Sequence, residues 1–428
     1  MDMRTSIFAL LALIGVATLL TAGSSANDNS FAVRDAHVFD GERMIPSANV
    51  IVRDGRITVV KADAAIPADL PVIEGRGRTL LPGLIDSHVH VFPGAQADAL
   101  RFGVTTELDM FNLTHEFLRW RKQRESLDRT QEADTWSAGT GVSAPGGHPS
   151  GTMPGSEHIP TLANAADAAA FVNARLAEGS DYVKVMMEDN WVYTPDHTIP
   201  TLSREEVCAA IAAAHAAGRV TIVHVSRQQD ARTAIECRTD GLAHLFADSV
   251  VDADFVTLAR NRNVFIETTL AVVAGGSGWS FARELYASPD VMPFLSVAQR
   301  QMIEGDLWFV RNHGIGNALR SARILHAAGV PLLAATDAPN PAAPHGVGLH
   351  AELRMLVDAG FAPREALNAA TALPARIFHL AGRGRIASGY RADLLLVRGD
   401  PTRDIAATLA IDNIWKNGFA VDRAAATR

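Results

Sequence analysis

The sequence predicts an α/β fold, a parallel (β/α)8 barrel of the TIM type, with a small β-sandwich domain formed from both chain ends. Apolar, strand-like runs alternate with Ala-rich helical segments through the middle of the chain, eight such runs can be counted, and short β-type runs with turns occur at both termini. Alternating strands and helices are typical of parallel α/β architecture. A doubly wound open sheet is the alternative, but no Gly-x-Gly-x-x-Gly follows an early strand.

The barrel is expected within residues 82–384. Its predicted strands are 84–89, 104–110, 135–140, 182–187, 220–225, 242–246, 264–270 and 331–336. The clearest predicted helices are 163–178, 205–217 and 315–328. Eight strands favour a closed cylinder.

Residues 27–81 and 385–428 are expected to form the small β-sandwich domain. In the first segment, Asp54-Gly55 between two β-type runs predicts a tight hairpin. In the second, Asn417-Gly418 follows another short run. Because chain termini often lie close together, the two segments can pair into one unit.

Composition favours a globular protein that acts on small molecules. The chain has 428 residues, of which 48% are hydrophobic and 20% charged, so it can bury a large core. Its net charge of −8, without long basic runs, gives no field that would attract nucleic acid or an anionic membrane.

Residues 1–26 are predicted to be a signal peptide. Arg4 precedes an apolar run from 7 to 20, and Ser24-Ser25-Ala26 then offers small residues for cleavage. The alternative is a retained membrane anchor, but this apolar run is shorter than the about 20 residues that a helix needs to span a bilayer. We therefore expect a periplasmic or secreted protein. Cys208 and Cys237 each lie in a helix-like segment and are predicted to be buried free thiols.

Polar residues that end or interrupt the apolar runs predict a metal site. His88 and His90 are two apart, so in a strand both imidazoles point the same way. The other members are Lys184 in strand four, His224 ending strand five, His244 in strand six and Asp337 after strand eight. In an eight-stranded α/β barrel these positions meet at the carboxyl-terminal mouth. Each residue alone could be an ordinary rim group, but burying all of them without a shared ligand would cost several kcal/mol each.

These motifs resemble those of the amidohydrolase superfamily, over nearly the whole mature sequence. The resemblance is carried by Leu81-Pro82-Gly83-Leu84-Ile85-Asp86-x-His88-x-His90, by Thr336-Asp337, and by Gly384-Arg385-Ile386-x-x-Gly389-x-x-Ala392-Asp393-Leu394. Gly146-Gly147-His148 and Leu349-His350-x-Glu352-Leu353 are similar to the imidazolonepropionase-like branch, which includes dipeptidases and ochratoxin-hydrolysing amidases.

The resemblance implies a binuclear centre in which Lys184 is N-carboxylated and bridges both metals. His88, His90 and Asp337 would hold one ion, and His224 and His244 the second. An ammonium cannot ligate a cation, whereas a carbamate can, and desolvation would lower the Lys184 pKa as this reaction needs. Two divalent ions are therefore expected; the ligands suit zinc, with manganese, cobalt or nickel as alternatives.

The implied activity is hydrolysis of an amide bond to an amino acid, in an N-acyl amino acid, a dipeptide or an ochratoxin-like aryl amide, by a metal-bridging hydroxide. Asp337 would accept the proton of the nucleophile and deliver it to the leaving amine. His148 would donate to the developing oxyanion or bind substrate, or is an ordinary loop residue.

Several positions are left open by the sequence. The dipeptidases of this branch often carry a Tyr shortly after the strand-five His, where this chain has Ser226-Arg227; Arg227 is either a clamp for a substrate carboxylate or a surface residue. His345 and His313 are uncertain mouth residues, and His350 with Glu352 is expected in supporting or subunit contacts. A homo-oligomer is expected because relatives assemble.

Two rival functions remain. A mononuclear deaminase or cyclic-amide hydrolase of the imidazolonepropionase type would lack the strand-four lysine. A non-catalytic exported binding protein would keep the barrel and use the metals for ligand capture. Lys184 argues against the first rival, and the complete set of four His, the Lys and the Asp argues against the second.

Overall fold

The computed structural model describes residues 29–113, 116–153, 155, 158–277, 281–305 and 314–424. The predicted signal peptide and His313 lie outside these residues. Among the described helices, none combines the length and apolarity needed to cross a bilayer.

The described residues form sixteen strands. In chain order they are β1 (Phe31–Phe39), β2 (Met44–Arg53), β3 (Arg56–Lys61), β4 (Val72–Glu74), β5 (Arg78–Pro82), β6 (Leu84–Val89), β7 (Val104–Asp109), β8 (Asp134–Ser137), β9 (Val183–Met187), β10 (Thr221–Val225), β11 (Gly241–Ala243), β12 (Phe265–Glu267), β13 (Leu332–Leu333), β14 (Leu394–Arg398), β15 (Ile411–Lys416) and β16 (Phe419–Ala420).

The described α-helices lie mainly between the strands of the barrel. They are α1 (Ala95–Leu100), α2 (Phe117–Glu125), α3 (Ala168–Glu178), α4 (Arg204–Ala216), α5 (Gln228–Glu236), α6 (Ala253–Arg262), α7 (Leu270–Gly276), α8 (Phe281–Tyr286), α9 (Val297–Glu304), α10 (Gly314–Ala327), α11 (Val347–Asp358), α12 (Pro363–Ala369) and α13 (Ala372–Ile377).

Eight parallel strands, β6 to β13, close into a barrel, which confirms the predicted fold class. One run of parallel pairs joins β6, β7 and β8, and a second joins β9 through β13. Parallel bridges close the gaps between the two runs, from Val142 to Val185 and from Val89 to Ala338. In such a barrel the carboxyl ends of all eight strands meet at one rim.

Strands from both chain ends share a second, separate sheet. Its hydrogen-bonded order is β16-β15-β14-β5-β1-β2-β3, with β4 beside β1. The sheet curls, so that Phe31 of β1 stacks on Trp415 of β15 with ring centroids 4.7 Å apart. Buried Val50, Leu80 and Leu394 fill the same core. This unit is the β-domain that the sequence predicts.

Cys208 and Cys237 form a disulfide, so the prediction of free thiols is wrong. Cys208 lies on α4 and Cys237 caps the end of α5, and their Cα atoms are 4.7 Å apart. The two helices flank β10 as neighbours on the outside of the barrel. Sequence spacing alone did not reveal that these consecutive helices bring the two residues within bonding distance.

Several strands are shorter than predicted, and the reason is visible at the rim. The predicted run 242–246 ends as a strand at Ala243, because His244 adopts a φ of 72°. The predicted run 331–336 is a strand only at Leu332–Leu333, and Asp337 beyond it has a φ of 60°. These two residues leave the strand geometry where they turn into the barrel mouth.

Candidate metal centre

The side chains predicted as metal ligands converge at the carboxyl-terminal rim of the barrel. Ligand atoms of His88, His244 and Asp337 all lie within 4.8 Å of one another. The ring of His88 lies 4.6 Å from that of His244 and 5.4 Å from that of His90. His224 packs against His244 with ring centroids 4.5 Å apart.

His88 is held by β6 with one ring nitrogen aimed into this cluster. Its side chain is 1% exposed, and Nδ1 lies 2.9 Å from Glu267 Oε2 at the end of β12. If Nδ1 donates to that carboxylate, Nε2 keeps its lone pair for a cation. Nε2 is buried and has no hydrogen-bond partner among the described residues.

Asp337 lies next to both histidines of the His-x-His motif. Its Oδ1 is 3.1 Å from His90 Nε2 and 3.4 Å from His88 Nε2. The backbone N–H of Asp337 donates to the carbonyl of His88 at 2.8 Å, so the end of β6 and the segment after β13 are held together. Left-handed backbone at a non-glycine residue carries strain and clusters at functional sites, and both Asp337 and His244 have it.

The second histidine pair lies on the opposite side of the cluster. His244 Nε2 is 3.2 Å from His224 Nδ1, and His244 Nδ1 is 2.9 Å from the hydroxyl of Thr269. His224 Nε2 lies 3.3 Å from Glu188 Oε2. Thr269 and Glu188 therefore fix the orientation of the two rings.

Lys184 points into the same space from β9. Its register partner on β10 is Ile222, two residues before His224, and the side chain is 1% exposed. Burial lowers the pKa of Lys184 to about 8, and the charges of Glu267, Asp337 and Asp109 oppose that shift. At pH 7 roughly a tenth of such groups are neutral amine, far more than for an ordinary lysine.

Burial also favours the neutral form of His88, His224 and His244. It lowers the pKa of His224 to about 3 and holds those of His88 and His244 well below the ordinary value, with the neighbouring Lys184 and His rings adding to the effect. A neutral imidazole is the form that ligates a metal. The donor set, neutral imidazoles and a carboxylate around the unpartnered Nε2 of His88, fits a divalent cation.

Sequence reasoning missed two carboxylates that support the centre. Glu267 contacts His88, and Glu188 contacts His224; both are buried, and burial raises the pKa of each above its ordinary value. Both follow the rule that picked out the histidines, a charged residue at the end of an apolar strand. Applied to carboxylates as well, the rule would have found them.

His148 lies at the mouth, with its ring 5.1 Å from that of His224. Its Nδ1 is 2.9 Å from the hydroxyl of Thr152, and burial lowers its pKa to about 3. A neutral His148 can offer one N–H to a substrate oxygen. Both His148 and Asp337 line the cavity above the cluster.

The remaining candidates have structural contacts that account for them. Arg227 donates from Nη2 to Asp189 at 2.6 Å and from Nε to Asp230 at 2.9 Å, so it is held in two ion pairs. His345 lines the cavity, and although burial opposes it, the charge of Glu107 2.6 Å away raises the His345 pKa.

His350 and Glu352 are buried, and their hydrogen-bond partners are not proposed ligands. His350 bonds the carbonyl of Phe102 and the hydroxyl of Thr408, both at 2.9 Å. Glu352 accepts the backbone N–H groups of Leu270 and Ala271, at 3.1 and 2.7 Å, and so caps the start of α7.

The cavity over the cluster has a volume of about 780 Å³. This is within the usual range for small-molecule sites, about 300–1,000 Å³. The chain is thus an α/β-barrel protein with a candidate metal site at the carboxyl-terminal rim of its strands.

The chain belongs to the amidohydrolase family, whose profile matches residues 79–421. It is therefore a hydrolase that acts on C–N bonds, in a family that generally binds divalent metals.

Three comparisons place the chain among its relatives. An imidazolonepropionase from Anaeromyxobacter dehalogenans (strain 2CP-1 / ATCC BAA-258) is 27% identical over 421 residues, covering 89% of this chain and 92% of the relative. The crystal structure of a Xaa-Pro dipeptidase with bound methionine superposes with a TM-score of 0.74 at 20% identity, over 92% of this chain and 100% of the other. That of an A. niger ochratoxinase gives a TM-score of 0.69 at 18% identity, over 91% and 95%.

Proposed function

We propose that this enzyme is a binuclear metal-dependent amidohydrolase that cleaves an amide bond, including one to an amino acid. The observation that carries the proposal is Lys184, fully buried among the histidines and Asp337 and with a pKa lowered to about 8. A buried lysine that pairs with no acid at hydrogen-bond distance among the described residues is costly unless it is converted to another group.

Lys184 would be held as a carbamate. Its neutral amine attacks carbon dioxide, the N–C bond forms, and one proton is released, which leaves an anionic group with two oxygens. His88, His90 and Asp337 would hold one cation and His224 and His244 the other, and the carbamate of Lys184 would be a further ligand. Divalent ions held there would lower the pKa of a bound water towards about 7 and polarise a carbonyl oxygen.

The chain's own groups would then manage the protons. Asp337, which lines the cavity beside His88 and His90, accepts the proton of the attacking water and delivers it to the leaving nitrogen. His148 donates its N–H to the oxygen of the former carbonyl as negative charge develops there. Glu267 and Glu188 keep His88 and His224 in the required orientation.

The test is metal content and turnover in wild type, in Lys184→Ala and in the exposed-lysine control Lys122→Ala. Wild type and the control should bind two equivalents of zinc and hydrolyse amides only when loaded. Lys184→Ala should bind at most one and lose at least about 1,000-fold in kcat, partly restored by added acetate or propionate, which supply the missing carboxylate. Two metals and full turnover in Lys184→Ala would contradict the proposal.

The second candidate is a mononuclear hydrolase of a cyclic amide. The full-length similarity to an imidazolonepropionase favours it. One equivalent of metal per chain, with unmodified Lys184 and ring-opening activity, would support this candidate instead.

We also propose that the protein is exported after cleavage near residue 26 and assembles into a homo-oligomer. The Cys208–Cys237 disulfide supports export, because disulfides persist in oxidising compartments. Amino-terminal sequencing of the periplasmic or secreted protein, with light scattering for its mass, tests both points.

A further inference from the structure

The cavity above the metal centre has apolar walls. Phe92, Phe111, Met153, Val272 and Met302 line it and surround the space where the two halves of an amide substrate would lie. Apolar walls contribute binding energy to apolar substituents and offer no compensation to a charge that loses its water.

The charges that line the cavity are mainly acidic. Apart from Lys184, the described charged side chains there are Asp98, Glu188 and Asp337, together with His345. Asp98 is paired with Arg101 and accepts the hydroxyl of Ser296 at 2.8 Å, and His345 is balanced by Glu107. Glu188 and Asp337 face the cavity beside the neutral histidines.

Arg227, for which a carboxylate clamp and a surface position were the two alternatives, binds two aspartates outside the cavity. Arg227 follows β10, but its Nη2 donates to Asp189 and its Nε to Asp230, and its guanidinium carbon lies 5.7 Å from the ring centroid of Trp191. Releasing it would leave both aspartates without this partner. Arg227 therefore balances the charges of Asp189 and Asp230 and is not among the residues that line the cavity.

We propose that the substrates are neutral, largely apolar amides, and that the cavity selects against a free carboxylate on either side of the scissile bond. This rests on the amide hydrolysis proposed above and narrows it. A carboxylate against these apolar walls would lose its water, with Glu188 on the same cavity wall, and none of the described lining residues offers it an uncommitted cationic side chain, because His345 is paired with Glu107 and Lys184 is a proposed metal ligand. An amino acid would be accepted as a leaving group when its carboxyl group is amidated or esterified.

The test uses two anilides that differ in one group, 4-methylacetanilide and 4-acetamidobenzoate. With zinc-loaded enzyme, kcat/KM for release of the arylamine should be at least tenfold higher for the methyl compound. Equal values, or a preference for the carboxylate, would overturn the inference and leave amide hydrolysis standing. If the enzyme cleaves neither of the two anilides, and cleaves no dipeptide or N-acyl amino acid, the proposed function itself fails.

A binding measurement tests the discrimination against a carboxylate independently of whether the enzyme hydrolyses amides. The matched sulfonamides N-(4-methylphenyl)methanesulfonamide and 4-(methanesulfonamido)benzoate cannot be hydrolysed as amides. Calorimetry should give a Kd at least tenfold lower for the methyl compound, and a tighter complex with the benzoate would contradict the inference whatever the turnover.

A variant that removes one charge tests whether Glu188 contributes to the discrimination against a carboxylate. In Glu188→Gln the ratio of kcat/KM for 4-methylacetanilide to that for 4-acetamidobenzoate should fall at least threefold, because the substitution removes one negative charge from the cavity wall. The matched control is Glu236→Gln on the exposed end of α5, where Glu236 pairs with Arg204 and the ratio should not change. Arg311 lies outside the described residues, and a preference for the carboxylate that disappears in Arg311→Gln would overturn the proposal.

Discussion

At the scale of single residues, the centre depends on buried polar groups that hold one another in position. Glu267 orients His88, Thr269 orients His244, and Glu188 orients His224. The sequence predicts six ligands; the structure groups His88, His244 and Asp337, and His90, Lys184 and His224 line the same cavity as His244 and Asp337. The end-of-strand rule would also have picked out Glu267 and Glu188, but not their partners, because these depend on the distances from β12 to β6 and from β9 to β10.

Asp337→Asn should abolish turnover and retain much of the metal. The amide keeps an oxygen that can ligate but cannot accept the proton of the nucleophile. We expect a loss of at least about 1,000-fold in kcat with bound zinc reduced by less than half, measured by initial rates and elemental analysis of the same sample. Unchanged hydrolysis would remove Asp337 from the proton-transfer role.

Glu267→Gln should weaken metal binding while leaving the barrel folded. The amide can still accept from His88 Nδ1 but no longer supplies a charge, so zinc affinity should fall about 10- to 100-fold in chelator competition. Asp134→Asn is the control, because this buried carboxylate pairs with Arg383 and Lys416 and touches no proposed ligand. It should lower Tm with zinc affinity unchanged; equal loss of zinc affinity in both variants would argue against the positioning role.

At the scale of elements, the order of strands and helices was predictable and their ends were not. The predicted strand 84–89 matches β6, whereas the predicted run 264–270 is a strand only over β12, because Thr269 has a φ of 45° and starts α7. Hydrophobic periodicity reports which residues are buried, but a strand end is set by the backbone turn that carries a functional side chain into the mouth.

The disulfide between α4 and α5 should stabilise the wall that carries His224. The bridged residues are 29 apart and enclose all of β10. For a loop of this length the chain-entropy model gives about 3 to 4 kcal/mol. The double variant Cys208→Ala/Cys237→Ala should lower the free energy of unfolding by about that amount, and dithiothreitol should lower the Tm of wild type but not of the variant. An equal effect of reductant on both would contradict this account.

At the scale of the whole molecule, a buried ionic cluster joins the β-domain to the barrel. Lys416 of β15 is 0% exposed and lies 2.8 Å from Asp134 of β8 and 2.9 Å from Asp393; Arg383 lies 2.6 Å from Asp134. Gly83, between β5 and β6, is a further close point, since a Cβ there would lie 2.2 Å from the Thr105 hydroxyl oxygen. The β-type runs at the two chain ends predicted a shared β-domain, but not its contacts with the barrel.

Lys416→Met should destabilise the protein by about 3 to 5 kcal/mol at pH 7, because it leaves Asp134 and Asp393 buried with less compensation. The control Arg53→Met removes an exposed pair with Asp69 and should cost less than about 1 kcal/mol. Both are measured by denaturant unfolding. Equal effects would show that the buried cluster contributes no more than a surface pair.

The same cluster predicts how stability depends on acid. Burial alone would raise the pKa of Asp134, but the charges of Lys416 and Arg383 outweigh it and hold that pKa below its ordinary value. A depressed pKa in the folded state contributes stability above the unfolded value, about 4, and the contribution is lost as pH falls below it. The difference in unfolding free energy between wild type and Lys416→Met should therefore shrink between pH 5 and pH 3; a constant difference would contradict the assignment.

The most direct measurement of the central proposal is anomalous diffraction from crystals of the zinc-loaded enzyme. The account predicts two metal peaks about 3.5 to 4 Å apart, with a carboxyl group on Nζ of Lys184 in contact with both. A single peak beside an unmodified Lys184 would contradict it.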